Sequence, residues 1–120
     1  MPNFSRRSLL ILETCDVRLQ SICHQAIEIM DFSVIDGARD KEEQNVLFDQ
    51  GLSLVKYPHS KHNRTPSKAV DLAPYPIDWR DIERFRILGQ IITLDSTFQQ
   101  ARIIWGGWWT WKDWGHFELL

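Results

Sequence analysis

The sequence predicts an α+β fold in which about three helices pack against one face of a small, mainly antiparallel β-sheet. Apolar residues recur at steps of three and four near the amino terminus and again after Trp79, the period of amphipathic helices. Between and after these stretches lie short β-rich runs bounded by Asp-Gly, proline or Gly-Gly, the marks of strands running into turns.

Each element carries its own signal. From Ser8 to Met30, the residues Leu9, Leu12, Leu19, Ile22, Cys23, Ala26, Ile27 and Met30 follow the helical step, and Asp16 offers a cap for a fresh start inside the stretch. Phe32 to Ile35 alternate as a strand does, and Asp36-Gly37 turns the chain. Asp40 with Glu43 has capping-box spacing, Val46, Leu47 and Phe48 supply an apolar face, and Gly51 sits where a helix ends, so a short second helix is expected. Leu52 to Arg64 reads as loop, with Pro58, Ser60 and Asn63 as turn-formers. Ala69 to Ala73 reads as a short buried strand stopped by Pro74 and Pro76. Trp79 to about Ala101 reads as the third helix, with Ile82, Phe85, Leu88, Ile92 and Phe98 on its buried face. Ile103–Trp105 and His116–Leu119 complete the strands, joined through Gly106-Gly107 and a tryptophan-rich link.

A chain of 120 residues, 43% hydrophobic and 25% charged, fits one domain over residues 1–120 with room for an apolar core. A net charge of −2 and a pI near 6.0 leave no basic footprint, so neither nucleic acid nor a membrane is an expected partner. No apolar stretch approaches the roughly 18 residues of a membrane-spanning helix. "MPNFSRRSLLILETCDV" begins like a signal peptide, but Glu13 and Asp16 cut the apolar run and no A-x-A site follows, so no export signal is expected. Cys15 and Cys23 on one helix would stand about 12 Å apart, too far for a disulfide, and reduced thiols suit a reducing compartment.

"SKHNRTPSKAVDLAPYPIDW" sets the chemical problem. Asp71 lies among Ala69, Val70, Leu72 and Ala73, and a carboxylate buried there must be paired, hydrogen-bonded or metal-bound. His62 lies in the loop entering that strand and His116 opens the last strand, so pairing of the two strands would bring all three together. Two neutral imidazoles and one carboxylate make a suitable catalytic zinc shell, with the fourth position left to water. On spacing alone a structural role stays open, and His59-x-x-His62 is a rival pair. Asp113, three residues before His116, can carry protons beside a metal or be a plain turn aspartate. His24, with no acid or thiol near it in sequence, reads as a helix-surface residue. Trp105, Trp108, Trp109, Trp111 and Trp114 read as core packing and a rigid wall, or as an aromatic groove. In the run Arg39-Asp40-Lys41-Glu42-Glu43, all but Arg39 read as a solvated first helical turn.

That stretch, the Trp-Gly-Gly of "IIWGGWW" and the closing "DWGHFELL" together resemble the signature of the zinc peptidases that cut bacterial peptidoglycan stems. This superfamily holds the D-alanyl-D-alanine carboxypeptidases and the L-alanyl-D-glutamate endopeptidases of phage endolysins and bacterial autolysins. "FSVIDGARDKEEQNVLFDQGLS" is similar to the same family's strand-turn-helix, and the likeness runs over roughly residues 8 to 120.

The resemblance implies one zinc ion per chain held by His62, Asp71 and His116, with Asp113 as general base and Arg39 stabilising the oxyanion. Ser60 and Gln44 match motif positions expected to bind substrate. The implied partner is the peptidoglycan stem peptide, and the preferred activity is that of an L-alanyl-D-glutamate endopeptidase, because a short form without anchor or wall-binding domain looks like an endolysin. D-alanyl-D-alanine carboxypeptidase is the runner-up, and an inactive wall-binding module is the alternative of a different class. A monomer is expected, made in the host cytoplasm and acting at the cell wall after release. Two departures stand out. "HNRTPSKAVD" is two residues longer than S-x-H-x-x-G-x-A-x-D and lacks its glycine, and Trp108 stands where relatives commonly have an aspartate.

Overall fold

In the computed structural model, which describes residues 2–120, the long amino-terminal helix is two helices, α1 (Arg6–Leu12) and α2 (Val17–Ala26). Thr14 to Asp16 leave the helix to pair with Ser67, whose N–H donates to the Thr14 carbonyl while its own carbonyl accepts from the Asp16 N–H. Asp16 then caps α2 by accepting from the Arg18 N–H. The helix count is therefore four. Cys15 stands in the break and Cys23 on α2; both are free and buried.

The remaining elements are β1 (Phe32–Asp36), α3 (Lys41–Asp49), β2 (Ala69–Pro74), α4 (Ile82–Phe98), β3 (Ile103–Trp105) and β4 (His116–Leu119). α3 has the full capping box of Asp40 and Glu43, and Gly51, at φ +73°, ends it in the left-handed conformation that glycine tolerates. Asp81 caps α4, which starts three residues later than the sequence suggests. Phe85, Leu88, Gly89, Ile92 and Ser96 form its buried face. Phe98, expected on that face, is 77% exposed because it lies six residues, about 240°, round the helix from Ile92.

The sheet order is β1-β2-β4-β3 and every neighbouring pair is antiparallel. Strand alternation divides its faces. Phe32, Val34, Val70, Leu72, Phe117 and Leu119 join the apolar core with Leu12, Leu19, Ile22, Leu88 and Ile92 from the helices. Asp71, His116 and Glu118 alternate with these core residues and take the other face. Trp105 stacks on Phe117, with ring centroids 6.3 Å apart, and its indole N–H donates to the Trp114 carbonyl at 2.8 Å. A Cβ on Gly89 would lie 2.3 Å from that indole, so glycine on α4 is what admits the ring. Among the described residues no helix is long and apolar enough to cross a membrane.

Candidate active site

Strand register assembles the cluster. Asp71 on β2 pairs directly with His116 on β4, and on its other side with Asp36 across a register shift between Val34 and Asp36 in β1. Without that bulge Ile35 would face Asp71. His62 arrives on a 3-10 turn, Lys61–Asn63, whose cap Ser60 accepts from the His62 N–H, while the Asn63 side chain accepts from the Ser60 N–H. The two extra residues between His62 and Asp71 are absorbed in a loop pinned at Ser67 to the α1–α2 break, and His62 still reaches Asp71.

His62 Nε2 lies 3.3 Å and His116 Nδ1 2.9 Å from the same oxygen, Asp71 Oδ1. One donor atom from each residue falls within 4.8 Å of the others, so the three can hold a metal ion. His62 Nδ1 is 2.7 Å from the Gly37 carbonyl, which accepts its proton and leaves Nε2 free to ligate. Of the rival histidines, His59 is exposed in the cleft wall outside the cluster, and His24 packs edge-on against Phe4.

The charges hold one another. Burial opposes the charge on Asp71, but hydrogen bonds from His116 and His62 keep its carboxyl well below the usual aspartate range. Burial likewise works against the His116 cation, yet Asp71 and Glu118 push its pKa up to about 9 without a metal. Arg39 donates to Asp71 Oδ2 at 3.0 Å, to Asp36, and to Gln44 Oε1 at 3.2 Å. Three of its five N–H donors are thereby engaged.

Gln44 and Ser60, the expected substrate contacts, both make hydrogen bonds within the protein. Gln44 is fully buried, and its amide donates to Ser53 Oγ at 2.9 Å and the Val55 carbonyl at 2.7 Å. It therefore orients Arg39 and fastens the 53–55 loop. Ser60 borders the cleft, but its hydroxyl is engaged in capping the turn that carries His62.

Asp113 sits on a turn held at both ends: its N–H donates to the Gly106 carbonyl and its carbonyl accepts from the His116 N–H. A Cβ on Gly106 would lie 2.2 Å from the Asp113 carbonyl oxygen, so the Trp-Gly-Gly turn needs glycine to lie beneath it. The Asp113 carboxylate accepts no hydrogen bond from the described residues, and burial followed by the charge of Asp71 raises its pKa. It borders both lobes of a cleft. The larger, about 490 Å³, includes Arg39, His62, His116, Trp109 and Trp111; the smaller, about 230 Å³, includes Trp79, Phe85, Lys112 and Trp114. Asp71 and Asp113 belong to both.

The tryptophans thus divide between the two readings. Trp105 is core, Trp109 packs 5.2 Å from the His116 ring, and Trp109, Trp111 and Trp114 line the cleft. Trp108 is 58% exposed and lies edge-on to Trp105. Sequence reasoning passed over Trp79, which read only as a helix start but stacks on Phe85 in the smaller lobe. It also passed over Glu118, whose signal was its place two residues from His116 on the same strand face, and Asp36, which alternation puts on the core face and only the bulge in β1 brings beside Asp71.

A His–Asp–His cluster that can hold a metal ion, with the Asp113 carboxylate bordering the same cleft, is an arrangement a metal-dependent hydrolase can use. The chain belongs to the phage L-alanyl-D-glutamate peptidase family, whose model matches residues 2–119. Its fold is that of the crystal structure of the L-Ala D-Glu endopeptidase ChiX of Serratia marcescens, with a TM-score of 0.84 and 24% identity over 98% of this chain and 90% of that one. No curated protein sequence matches the chain.

Proposed function

We propose that the chain is a single-domain, zinc-dependent endopeptidase that cuts the L-alanyl-D-glutamate bond of peptidoglycan stem peptides, with His62, Asp71 and His116 as the metal ligands. The observation that carries the reading is the spacing of the three donor atoms. Ligand atoms around a tetrahedral zinc with bonds near 2.0–2.1 Å lie about 3.3 Å apart, and the two separations at Asp71 Oδ1 are 3.3 and 2.9 Å. Two imidazoles and one carboxylate are also the donor set of an open, catalytic zinc site rather than a closed structural one.

When bound, the ion supplies Lewis acidity to the scissile carbonyl and to water. Asp113 takes the proton from the attacking water and returns it to the leaving amine. Its free carboxylate and raised pKa suit both halves of that task. Arg39 keeps Asp71 ionised and oriented, and its two unengaged N–H donors are available to the oxyanion. The aromatic walls of Trp109, Trp111 and Trp114 give the stem peptide rigid apolar contact.

The cleft favours internal cleavage over removal of a terminal D-alanine. Asp71 and Asp113 border both lobes, so peptide has room on either side of the scissile bond. The intact donor set and the free Asp113 carboxylate argue against an inactive wall-binding module. The protein acts as a monomer at the bacterial wall after release from the cell in which it is made. Metal analysis tests the reading: one zinc per chain is expected, with hydrolysis lost on chelation and restored by zinc. Purified protein without stoichiometric zinc, digesting walls equally well in chelator, would overturn it.

A further inference from the structure

We propose that Lys112 is a specificity-determining residue that binds the free carboxylate of the glutamate on the leaving side of the scissile bond, in the smaller lobe of the cleft; the inference rests on the functional reading above. A glutamate joined into a peptide through its amine and one carboxyl keeps the other carboxyl free, and that group is ionised at neutral pH. The leaving half of an alanyl-glutamate bond therefore brings a negative charge with it. The smaller lobe already holds two carboxylates, Asp71 and Asp113, and apart from Lys112 the rest of its lining is apolar or glycine, as at Leu72, Trp79 and Gly115. A third carboxylate is repelled there unless a cation meets it.

Elimination picks that cation. The lysines and arginines that line the two lobes are Arg39, Lys61 and Lys112. Arg39 is bound to Asp36 and Asp71, and Lys61 to Glu118. Among the described residues Lys112 has no ion-pair partner; its Nζ donates to the Gly107 carbonyl at 2.9 Å and lies 5.6 Å from the centre of the Trp114 ring. An ammonium has three donors, so two remain for a ligand. The other cation over that ring, Arg86, has Glu83 at 3.6 Å and lines neither lobe. Position agrees with charge. Arg39, whose free donors serve the oxyanion, borders the larger lobe alone, so the acyl half extends there. Asp113, which returns the proton to the leaving amine, also walls the smaller lobe, and Lys112 is its neighbour in the chain.

The test uses two stem peptides, one with the glutamate carboxyl free and one with it amidated, on zinc-loaded wild type, Lys112→Met, Lys112→Arg and His59→Gln. The quantity read is the ratio of kcat/KM for acid over amide. Wild type should favour the acid about 3- to 30-fold, between what an exposed ion pair and a charge-assisted hydrogen bond give. Lys112→Met should bring the ratio to within about twofold of one, and Lys112→Arg should recover most of it. Loss of the Gly107 contact or of packing on Trp114 would slow both peptides alike, so the ratio separates recognition from structure. A wild-type ratio near one, a ratio kept in Lys112→Met, or one lost instead in His59→Gln, the exposed histidine of the larger lobe, would overturn the proposal. The second measurement is calorimetric binding of the two leaving fragments, which begin at the glutamate, and the same preference and the same loss are expected. Should wild type cut neither peptide, the functional reading falls and calorimetry alone decides the role of Lys112; wild type that binds both fragments equally, or neither, overturns it.

Discussion

Replacing Asp113 with asparagine removes the proposed proton carrier while leaving its shape, its backbone anchors and the metal donors in place. The Asp113 carboxylate accepts no hydrogen bond from the described residues, so the amide strands no partner. Its pKa is raised by burial and then by the charge of Asp71, which means that its ionised form opposes folding above the ordinary aspartate range. The variant should therefore melt at or slightly above the wild-type temperature. Loss of a general acid–base group costs about 10²- to 10⁴-fold in rate, or roughly 2.7–5.4 kcal/mol of transition-state stabilisation. The assay is kcat/KM on a purified stem peptide, with zinc content and thermal midpoint measured on the same preparation. The expected result is a loss in kcat of that size with full zinc and unchanged or higher stability. Turnover within threefold of wild type would refute the assignment of Asp113, and loss of zinc would place it in the metal site instead.

Gly106→Ala drives a methyl group to 2.2 Å from the Asp113 carbonyl oxygen, and should cost about 1–3 kcal/mol in urea unfolding together with more activity than that loss of stability explains. Gln44→Leu keeps much of the volume but takes the amide hydrogens from Ser53 Oγ and the Val55 carbonyl and strips one Arg39 donor of its acceptor, so unfolding should be easier by about 1–3 kcal/mol, read by urea titration. In metal-free protein the His116 pKa is raised from 6.5 to about 9, so its contribution is complete below pH 6.5 and is lost as pH rises through 9. Thermal midpoints in chelator should fall across that interval, and much less so in His116→Gln.

The legible parts of the fold were those with local causes. The Asp40–Glu43 capping box, the Gly51 stop and the proline-bounded strand around Asp71 each depend on residues within one turn of each other, and each forms as the spacing implies. The break between α1 and α2 was less legible because its partner, Ser67, lies more than fifty residues away. Asp16 signalled a cap, but nothing local showed that Cys15 would leave the helix to join a bridge. Phe98 was misplaced because apolar character was extended past the point where the helix had turned its face to solvent. In the site, Asp71 and His116 were legible because the pairing of their strands can bring them together, and His62 because it stands in the family-like motif that leads into the first of them. The burial of Gln44 was not legible, since it depends on how the 53–55 loop folds back over it.

Mass spectrometry of purified stem peptides after digestion tests the central claim most directly, because it reads the bond that is cut. Internal cleavage at the L-alanyl-D-glutamate bond should give fragments with a new alanine carboxyl terminus and a new glutamate amino terminus, in zinc-loaded wild type and not in chelator. Release of terminal D-alanine alone, or peptides left whole by zinc-loaded protein, would contradict it.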